Sequence, residues 1–255
     1  MKLAKMPDGT VEIYDAVQGE GFSMGIPMAF VRLSLCNLQC TFCDTSYTWL
    51  FTGSKAKHLY SKPVDPKEYQ MDMSVEEVAD YIDKVAGHHK RAVFTGGEPT
   101  LQQKDIIKVI KILRARSADW YFEIETNGSF TMDEELGLLL SQINSSPKLE
   151  SSGNSKAMRD KPEAINRLLD LHRQGKPLCF KFVVFMENWE KDMEEIKLWE
   201  ERYNVPRELI YLMPEGITRD RITKATEFLN EIGQRQDYRV STRLQVLVYG
   251  DRRAV

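Results

Sequence analysis

Short apolar runs alternate with amphipathic helical patterns along this chain of 255 residues, and the alternation constrains the fold more than any other feature. Strands are predicted at residues 28–35, 91–95, 120–125, 178–185, 209–213 and 238–244, with a weaker one at 142–146. Helices are predicted between them, at residues 74–85, 103–116, 132–140, 162–172, 189–203 and 218–232. Tandem βα units of this kind predict an α/β protein whose mostly parallel sheet closes, or nearly closes, a barrel.

A single domain over residues 1–255 is the expected organisation. Residues 51–70 are polar, aperiodic and contain prolines, so they are predicted to form a surface insertion or lid whose lysines are a solvated face. The formal net charge of −3 provides no basic field for nucleic acid. No apolar run is long enough to span a membrane and no signal-peptide stretch is evident, so we expect no membrane partner and a cytoplasmic location.

Three cysteines, Cys36, Cys40 and Cys43, follow the first predicted strand with Cys-x3-Cys-x2-Cys spacing. Three thiolates can bind three irons of a [4Fe–4S] cluster and leave the fourth iron open, whereas an electron-transfer cluster normally has four protein ligands. A structural zinc site is the alternative, and its fourth ligand would have to be Cys179 or one of the distant histidines His58, His88, His89 and His172. Cys179 lies in a predicted buried strand, where a lone cysteine is usually a small apolar residue. The spacing favours the cluster.

A second motif, Gly96-Gly97-Glu98-Pro99, ends the predicted strand 91–95. Paired glycines let the backbone approach a ligand or take a positive φ, and the proline stops further strand pairing. Glu98 offers an acceptor for an ammonium group, although the motif alone is equally compatible with an ordinary turn. Because Cys36 and Gly96 both fall just after predicted strands, both motifs are expected at the C-terminal edge of the sheet, where barrel enzymes have their active sites.

Arg32 lies within the predicted strand 28–35, on the opposite face from its immediate neighbours. A guanidinium on an inner strand face costs free energy unless an anion meets it. Two partners remain open from the sequence, namely an anionic substrate and a buried carboxylate such as Glu123 or Glu125. Lys181, in the middle of another predicted strand, raises the same question.

With the cysteine triplet and the Gly-Gly-Glu-Pro strand end together, the chain resembles the radical S-adenosylmethionine (SAM) enzymes. The resemblance implies a partial (βα)6-type TIM-like barrel, a [4Fe–4S] cluster, and SAM chelating its open iron. Within that superfamily the chain is similar, over nearly its whole length, to the 7-carboxy-7-deazaguanine synthases of deazapurine (queuosine-type) biosynthesis. The motifs that carry this likeness include Gln18-Gly-Glu-Gly21, Arg32, Asp44-Thr45, Thr48-Trp49, Glu125-Thr-Asn-Gly128, Ser146-Pro-Lys148 and the tail 249–255.

The resemblance implies a role for each of several residues. The cluster ligands are Cys36, Cys40 and Cys43. SAM contacts are implied at Gly96, Gly97, Glu98, Asn127, Ser146, Pro147 and Lys148. Substrate contacts are implied at Val17, Gln18, Gly19, Arg32, Thr95 and, through the C-terminal carboxylate, Val255. Thr45 is implied to bind a Mg²⁺ ion that holds the substrate carboxylate, for which Arg32 provides a second clamp.

The reaction implied by the resemblance converts 6-carboxy-5,6,7,8-tetrahydropterin to 7-carboxy-7-deazaguanine. SAM is cleaved reductively to a 5′-deoxyadenosyl radical, hydrogen is abstracted at the pterin C6, the ring contracts with loss of ammonia, and the hydrogen returns to regenerate SAM. The cofactors carry the radical chemistry, and the protein positions them and excludes water. An electron donor such as flavodoxin or ferredoxin and a homodimeric assembly are also implied.

Gln245 directly follows residues 238–244 and is predicted to belong to the same final strand. The chain differs from the family pattern at this position, because relatives often have a histidine there. Two alternative functions remain open. A glycyl-radical-enzyme activase would share the cysteine triplet but act on a partner protein, whereas Gln18 and Arg32 favour a small anionic substrate. The non-enzyme alternative is a zinc-stabilised binding module.

Overall fold

The computed structural model describes residues 1–255 as ten β-strands and nine α-helices. The strands are β1 (Lys2–Ala4), β2 (Ile13–Val17), β3 (Pro27–Leu33), β4 (Gln70–Asp72), β5 (Arg91–Gly96), β6 (Tyr121–Thr126), β7 (Gln142–Ser145), β8 (Leu178–Val184), β9 (Ile210–Pro214) and β10 (Arg239–Val240). The helices are α1 (Pro66–Tyr69), α2 (Val75–Ala86), α3 (Gln103–Arg116), α4 (Glu134–Leu139), α5 (Lys156–Arg159), α6 (Pro162–Arg173), α7 (Trp189–Tyr203), α8 (Arg219–Gln236) and α9 (Leu244–Tyr249).

One sheet contains all the strands in the spatial order β10-β9-β8-β7-β6-β5-β3-β1-β4, with β2 paired to β3. From β3 through β5 to β10, every neighbouring pair is parallel. Parallel neighbours require crossover connections, which the helices between these strands provide. The two ends of this strand order do not pair with each other, so the barrel stays open. This arrangement confirms the predicted α/β fold and its partial (βα)6-type barrel.

The main hydrophobic core lies between the outer face of the sheet and the helices. Val31 of β3, Phe94 of β5 and Ile124 of β6 are fully buried there, together with Ile106 and Ile110 of α3. Helix α2 begins with a capping box, in which the Ser74 hydroxyl and the Glu77 carboxylate each accept the other residue's backbone N–H. Burial of one apolar face of each helix explains why helices predicted from a 3.6-residue period form here.

The inner face of the same strands is polar. Because side chains alternate along a strand, the residues between the core positions point into the barrel. Glu123 of β6, Asn144 of β7 and Lys181 of β8 are buried on this inner face. Arg32 also lies on the inner face, whereas its neighbours Val31 and Leu33 belong to the outer core. This placement is the one predicted from the alternation of side chains along the strand.

The prediction of a final strand over residues 238–244 is wrong about the length of that strand. Only Arg239 and Val240 pair with β9, and Gln245 lies in α9 instead of a strand. The backbone leaves the sheet because Leu244 donates its N–H to the Gly19 carbonyl at 2.9 Å, far along the chain. The turn towards Gly19 places α9 beside the mouth of the barrel.

Three short strands and the insertion complete the fold. Strands β1, β2 and β4 were not predicted, because two of them have only three residues and show no usable period. They add an antiparallel extension beside β3. Residues 51–70 contain the single-turn helix α1, one bridge between Phe51 and Val64, and the first residue of β4. No helix of the protein has the length and apolar character needed to cross a membrane.

Candidate active site

A cavity of about 270 Å³ opens at the C-terminal edge of the parallel strands. Its wall is formed by the cysteine loop after β3, the ends of β5 to β9, the β2–β3 hairpin and the C-terminal tail. The structure brings most of the predicted site residues to this one cavity, namely Val17, Gln18, Gly19, Arg32, Cys36, Cys40, Cys43, Thr45, Thr95, Gly96, Gly97, Asn127, Ser146, Lys148 and Val255. Two predicted site residues, Glu98 and Pro147, are not part of its wall.

The sulfurs of Cys36 and Cys40 each have nitrogen donors beside them. The Leu38 backbone N–H donates to the Cys36 sulfur at 3.4 Å, and Asn127 Nδ2 lies 3.8 Å from the same atom. Asn154 Nδ2 donates to the Cys40 sulfur at 3.2 Å. Such donors stabilise negative charge on sulfur, and hydrogen bonds to the sulfurs help to set the potential of an iron–sulfur cluster.

Cys43 completes the set. Trp49 Nε1 donates to its sulfur at 3.3 Å, and the Thr45 hydroxyl lies 3.6 Å away. Burial raises the pKa of all three thiols, that of Cys40 to about 11, so ligation must displace protons. No three His, Cys, Asp or Glu side chains converge on a point that could hold one metal ion. A [4Fe–4S] cluster needs only one thiolate for each iron, and this donor set fits three of its irons.

Two of the candidate fourth ligands for zinc, His58 and Cys179, are engaged in other hydrogen bonds. His58 Nδ1 accepts hydrogen bonds from two following backbone N–H groups, so Nε2 carries the ring proton and donates to the Cys43 carbonyl at 2.9 Å. The Cys179 thiol donates to Asn144 Oδ1 at 3.1 Å. Cys179 is buried as predicted, but on the polar inner face of the barrel, and burial raises its pKa to about 11. It is therefore a neutral hydrogen-bond donor.

Gly96 and Gly97 hold the end of β5 against the cysteine loop. Gly96 has a φ of +120°, and a Cβ on either glycine would overlap the backbone of Leu33 or Leu35. The Gly97 N–H donates to the Leu33 carbonyl at 3.0 Å, and the Glu98 N–H to the Leu35 carbonyl at 2.8 Å. The glycines are thus required by the approach of two backbones, and this approach fixes the start of the cysteine loop.

Glu98 is fully buried, and its carboxylate accepts four hydrogen bonds from the protein. It accepts hydrogen bonds from the Thr100 N–H at 3.0 Å, the Thr100 hydroxyl at 2.6 Å, the Thr126 hydroxyl at 2.7 Å and the Asn127 N–H at 2.6 Å. Glu98 lies outside the cavity wall, so in this structure its carboxylate does not face a ligand there, and its predicted contact with the ammonium group of SAM stays a prediction. Glu98 ties the ends of β5 and β6 together and positions Asn127.

The segment after β7 contributes Ser146 and Lys148 to the wall. Lys148 Nζ donates to the Ser146 hydroxyl at 2.7 Å. The Lys148 charge also lowers the pKa of Cys40, against the larger effect of burial. Pro147, between them, lies outside the wall. An ammonium beside the cysteine loop is suited to an anionic group of a ligand bound there.

Arg32 pairs with a carboxylate that the sequence did not indicate. Its Nε lies 3.3 Å from Glu12 Oε1, and one terminal nitrogen lies 3.5 Å from the Thr95 hydroxyl. The expected partners Glu123 and Glu125 do not pair with it, although Thr95 donates to Glu125 at 2.7 Å. Arg32 therefore has a buried carboxylate partner, and because it also lines the cavity, its pairing with an anionic substrate stays a prediction.

Glu12 is shared between two guanidinium groups, which leaves excess positive charge at this part of the wall. Arg253 of the C-terminal tail forms an ion pair with it, and the Arg253 guanidinium lies 3.7 Å from the centre of the Tyr47 ring. The Tyr47 hydroxyl donates to Glu12 at 2.9 Å. These contacts attach the tail across the mouth of the cavity and bring Val255 into its wall.

Gln18 is almost completely buried at the opposite end of the hairpin. Its Nε2 donates to Glu125 Oε1 at 3.3 Å. Gln245 donates to Glu20 Oε1 at 2.8 Å, while its own buried amide oxygen lies against Gly19 without any hydrogen-bond partner. A buried oxygen that lacks a donor in the protein is a natural acceptor for a ligand N–H.

Lys181 anchors a buried network of ions. Its Nζ lies 3.1 Å from Glu20 Oε2 and 3.2 Å from Glu125 Oε1. Arg243 extends the network, with Nε 3.1 Å from Glu20 and an ion pair with Asp44 of the cysteine loop. Burial alone would raise the pKa of Glu20, but Lys181 and Arg243 lower it to about 2. The two carboxylates likewise raise the pKa of Lys181 against the effect of burial.

Sequence reasoning missed five residues that build the site: Glu12, Glu20, Trp49, Asn154 and Arg243. Asn154 lies 114 residues from the cysteine that it contacts, and no local pattern marks it. Glu12 and Glu20 flank the hairpin strand β2, which was itself missed. A signal existed only for Trp49 and Glu20, which lie inside motifs that carry the family resemblance.

Comparisons with known proteins agree with this geometry. Residues 31–229 match the model of the radical SAM superfamily. The chain is similar to the 7-carboxy-7-deazaguanine synthase of Pyrobaculum aerophilum, with 28% identity over 246 residues that cover 95% of each chain. It is also similar to the enzyme of the same name from Hyperthermus butylicus, with 30% identity over 207 residues, covering 80% of this chain and 75% of the relative.

A solved structure resembles the fold. The crystal structure of QueE from Escherichia coli superimposes with a TM-score of 0.63 at 21% identity, and the match covers 94% of this chain and 93% of that one. At this identity the likeness supports the fold alone.

Proposed function

This chain belongs to the radical SAM superfamily and, within it, to the family of 7-carboxy-7-deazaguanine synthases, and from that premise we propose how its cavity performs the reaction of that name. The substrate is 6-carboxy-5,6,7,8-tetrahydropterin and the products are 7-carboxy-7-deazaguanine and ammonia. The observation that carries the proposal is the meeting, in one cavity, of three cysteine thiols with the partly buried guanidinium of Arg32 and the side-chain amides of Gln18 and Gln245.

The cluster side of the cavity would bind the cofactors. A [4Fe–4S] cluster on Cys36, Cys40 and Cys43 and a bound SAM molecule would supply the radical chemistry. The backbone of Gly96 and Gly97 would contact the methionyl amine, and Lys148 the methionyl carboxylate. Glu98 has a positioning role through the ends of β5 and β6. Binding at these strand ends would place SAM beside the polar interior of the barrel.

The substrate would occupy the space between the cofactors and the hairpin. Arg32 would bind the substrate carboxylate, supported by the excess positive charge that Arg253 provides beside Glu12. Gln18 and the unpaired amide oxygen of Gln245 would face the donor and acceptor edge of the pterin. The neighbouring ions of Lys181, Glu20 and Glu125 would orient the ring.

Mg²⁺ is proposed at Thr45. The Thr45 backbone carbonyl already accepts from the Thr48 hydroxyl at 2.8 Å, whereas its own hydroxyl has only the weak contact with the Cys43 sulfur. A hydroxyl oxygen at the cavity wall suits the preference of Mg²⁺ for hard oxygen ligands and for open positions that substrate or water can fill. We expect complete removal of Mg²⁺ to lower turnover, and Thr45→Ala to reduce the response to added Mg²⁺.

Further proposals concern partners and location. The reductive cleavage of SAM requires an electron donor of the flavodoxin or ferredoxin class, and a homodimer remains a prediction from the family. All four cysteines are free thiols, which suits a reducing cytoplasm.

Anaerobically reconstituted protein should convert the carboxy-tetrahydropterin to the deazaguanine acid in the presence of SAM and dithionite. Mass spectrometry of the product and of ammonia release would establish the reaction. SAM cleavage without any pterin-derived product would reject this function and favour the glycyl-radical activase, which would instead modify a protein. The Cys40→Ala variant is the matched control for cluster-independent conversion.

A further inference from the structure

A basic stretch of the insertion lies directly on the cysteine loop. We define the basic loop as residues 54–62, which contains Lys55, Lys57 and Lys62 and no acidic residue. All three lysines are exposed, and none forms an ion pair. Because the whole chain has a net charge of −3, the remainder of the molecule is more negative still. The basic loop is therefore a local positive patch on an acidic protein.

Backbone contacts fix the basic loop beside the cluster ligands. The Leu59 N–H donates to the Thr41 carbonyl at 2.8 Å, and His58 Nε2 donates to the Cys43 carbonyl at 2.9 Å. At its other side, the Tyr60 hydroxyl donates to the buried carboxylate of Glu215. The loop is thus tied both to the cysteine motif and to the end of β9, although its lysines remain in solvent.

Three aromatic rings lead from a cluster ligand to this surface. Trp49 donates to the Cys43 sulfur at 3.3 Å and is buried. Its ring centre lies 6.1 Å from that of His58, which lies 6.3 Å from that of Tyr60. The Tyr60 side of this series is 42% exposed, and the adjacent Leu59 is 58% exposed. The rate of electron transfer through protein falls steeply with distance. This surface therefore offers a short path for an electron from a docked protein to the cluster ligand Cys43.

We propose that the basic loop is the docking surface for an acidic one-electron carrier protein. The inference rests on the proposed function, since only a reductive SAM reaction needs such a donor. On docking, the reduced carrier loses one electron and the cluster gains it, with no transfer of atoms. Trp49, His58 and Tyr60 would lie between a cluster bound at Cys43 and a carrier docked on the basic loop. The lysines steer the carrier by charge, and Leu59 provides the apolar contact.

The charge pattern favours a protein carrier of negative charge. Transient redox partners bury little area, and their encounter depends on complementary charge more than on apolar contact. Three lysines around one exposed leucine match that pattern. The alternative is that these lysines only keep the insertion hydrated. In that case, reversing their charges leaves the binding of the carrier unchanged.

The test uses the cluster-loaded enzyme and an acidic flavodoxin as the probe. Calorimetry would measure the Kd for oxidised flavodoxin at low salt and at about 1 M salt, where the Debye length falls to about 3 Å. The variant Lys55→Glu, Lys57→Glu, Lys62→Glu should bind at least about tenfold more weakly at low salt. The control Lys84→Glu, Lys108→Glu, Lys197→Glu makes the same change in net charge on three outer helices, where these lysines are exposed.

Rapid-mixing measurements give a second readout. Cluster bleaching by reduced flavodoxin at subsaturating concentration should slow in the basic-loop variant by the same factor as its loss of affinity, while bleaching by dithionite stays close to the wild-type rate. Iron content and the melting temperature confirm that the variant is folded and loaded. Equal weakening in both triple variants would mean attraction by net charge alone and would overturn the proposal.

Two other results would also overturn it: unchanged binding in the basic-loop variant, or no salt-sensitive binding of flavodoxin by the wild type. Product formation driven by dithionite is scored separately. It tests the proposed reaction without any carrier, so a failure of docking and a failure of the proposed function are distinguishable.

Discussion

Two sides of one cavity are built in different ways. The cluster side consists of Cys36, Cys40, Cys43, Gly97 and Lys148, and its sulfurs are supported by neutral N–H donors and backbone contacts. The ion-pair side consists of Glu12, Glu20, Arg32, Lys181 and Arg243, and its groups are held by charge in the barrel interior. The three cysteines of the cluster side are encoded in one short motif, whereas Gly97, Lys148 and the whole ion-pair side join the cavity only after the chain has folded.

The difference explains what each side can contribute. Neutral donors leave the negative charge of the thiolates available to iron, and short loops keep the three sulfurs in register. Buried ion pairs are costly to form and strongly destabilising to break, so their value lies in specifying one geometry for a polar substrate. Variants on the two sides should therefore fail in different ways.

The largest effect is expected on the cluster side. Cys36→Ala, Cys40→Ala or Cys43→Ala should each abolish activity and the brown chromophore, because only three protein thiols hold the cluster. Cys179→Ala is the matched control and should keep both, since its thiol bonds to Asn144 away from the motif. Iron analysis and visible absorption after anaerobic reconstitution provide the measurement. Retention of iron and colour by Cys40→Ala would show that the cluster side is assigned incorrectly.

On the ion-pair side, loss of a charge should first reduce stability. Lys181→Met leaves Glu125 without its ammonium partner and Glu20 with Arg243 alone, so the free energy of unfolding should fall by about 3 kcal/mol. Lys108→Met removes an exposed pair with Asp105 and should cost less than about 1 kcal/mol. Urea unfolding of the metal-free proteins would compare them, and equal losses would remove the distinction between buried and surface pairs.

The same network should give stability a specific dependence on pH. The pKa of Glu20 is lowered to about 2 in the folded protein, below its usual 4.5, so its contribution is complete above pH 4.5 and is lost as the pH falls towards 2. The loss should amount to about 3 kcal/mol. Glu20→Gln should lack this part of the acid dependence. Parallel curves of unfolding free energy against pH for the two proteins would contradict the assignment.

A smaller effect is expected where the ion-pair side meets the substrate. Arg32→Ala should weaken binding of the carboxy-tetrahydropterin about tenfold to a hundredfold, because a charge-assisted contact is worth about 1.5–3 kcal/mol. SAM cleavage by the dithionite-reduced variant should persist, since the cluster side is untouched. Arg114→Ala, on the outer helix α3, is the control and should bind normally. Wild-type affinity in Arg32→Ala would exclude Arg32 from the substrate site.

The sequence predicts the features that depend on local periodicity, but it does not predict contacts between residues that are far apart in the chain. The βα order, the phase of Arg32 and the common edge of Cys36 and Gly96 follow from local periodicity, and the structure bears them out. The partner of Arg32 could not be predicted, because Glu12 lies on a hairpin too short to show a clear period. Glu20 and Arg243 meet across 223 residues, a separation that no spacing rule reaches.

The surroundings of Gln245 and Glu98 both depend on tertiary hydrogen bonds that the local sequence does not reveal. Gln245 was placed in a strand because residues 238–248 are rich in apolar residues, but the bond from Leu244 to Gly19 turns the chain into α9. Glu98 was expected to face a ligand because it follows two glycines. Its four donors come from Thr100, Thr126 and Asn127, and two of these lie on a different strand end. In both cases tertiary hydrogen bonds determine the surroundings of the side chain.

The central claim is that one cavity binds SAM on the cluster side and the pterin on the ion-pair side. An anaerobic crystal structure of the cluster-loaded protein with SAM and 6-carboxy-5,6,7,8-tetrahydropterin tests it most directly. We predict SAM between the backbone of Gly96 and Gly97 and the side chain of Lys148, with the pterin carboxylate on Arg32 and its ring against Gln18 and Gln245. A pterin bound outside this cavity, or SAM bound without contact to the cysteine loop, would contradict the account.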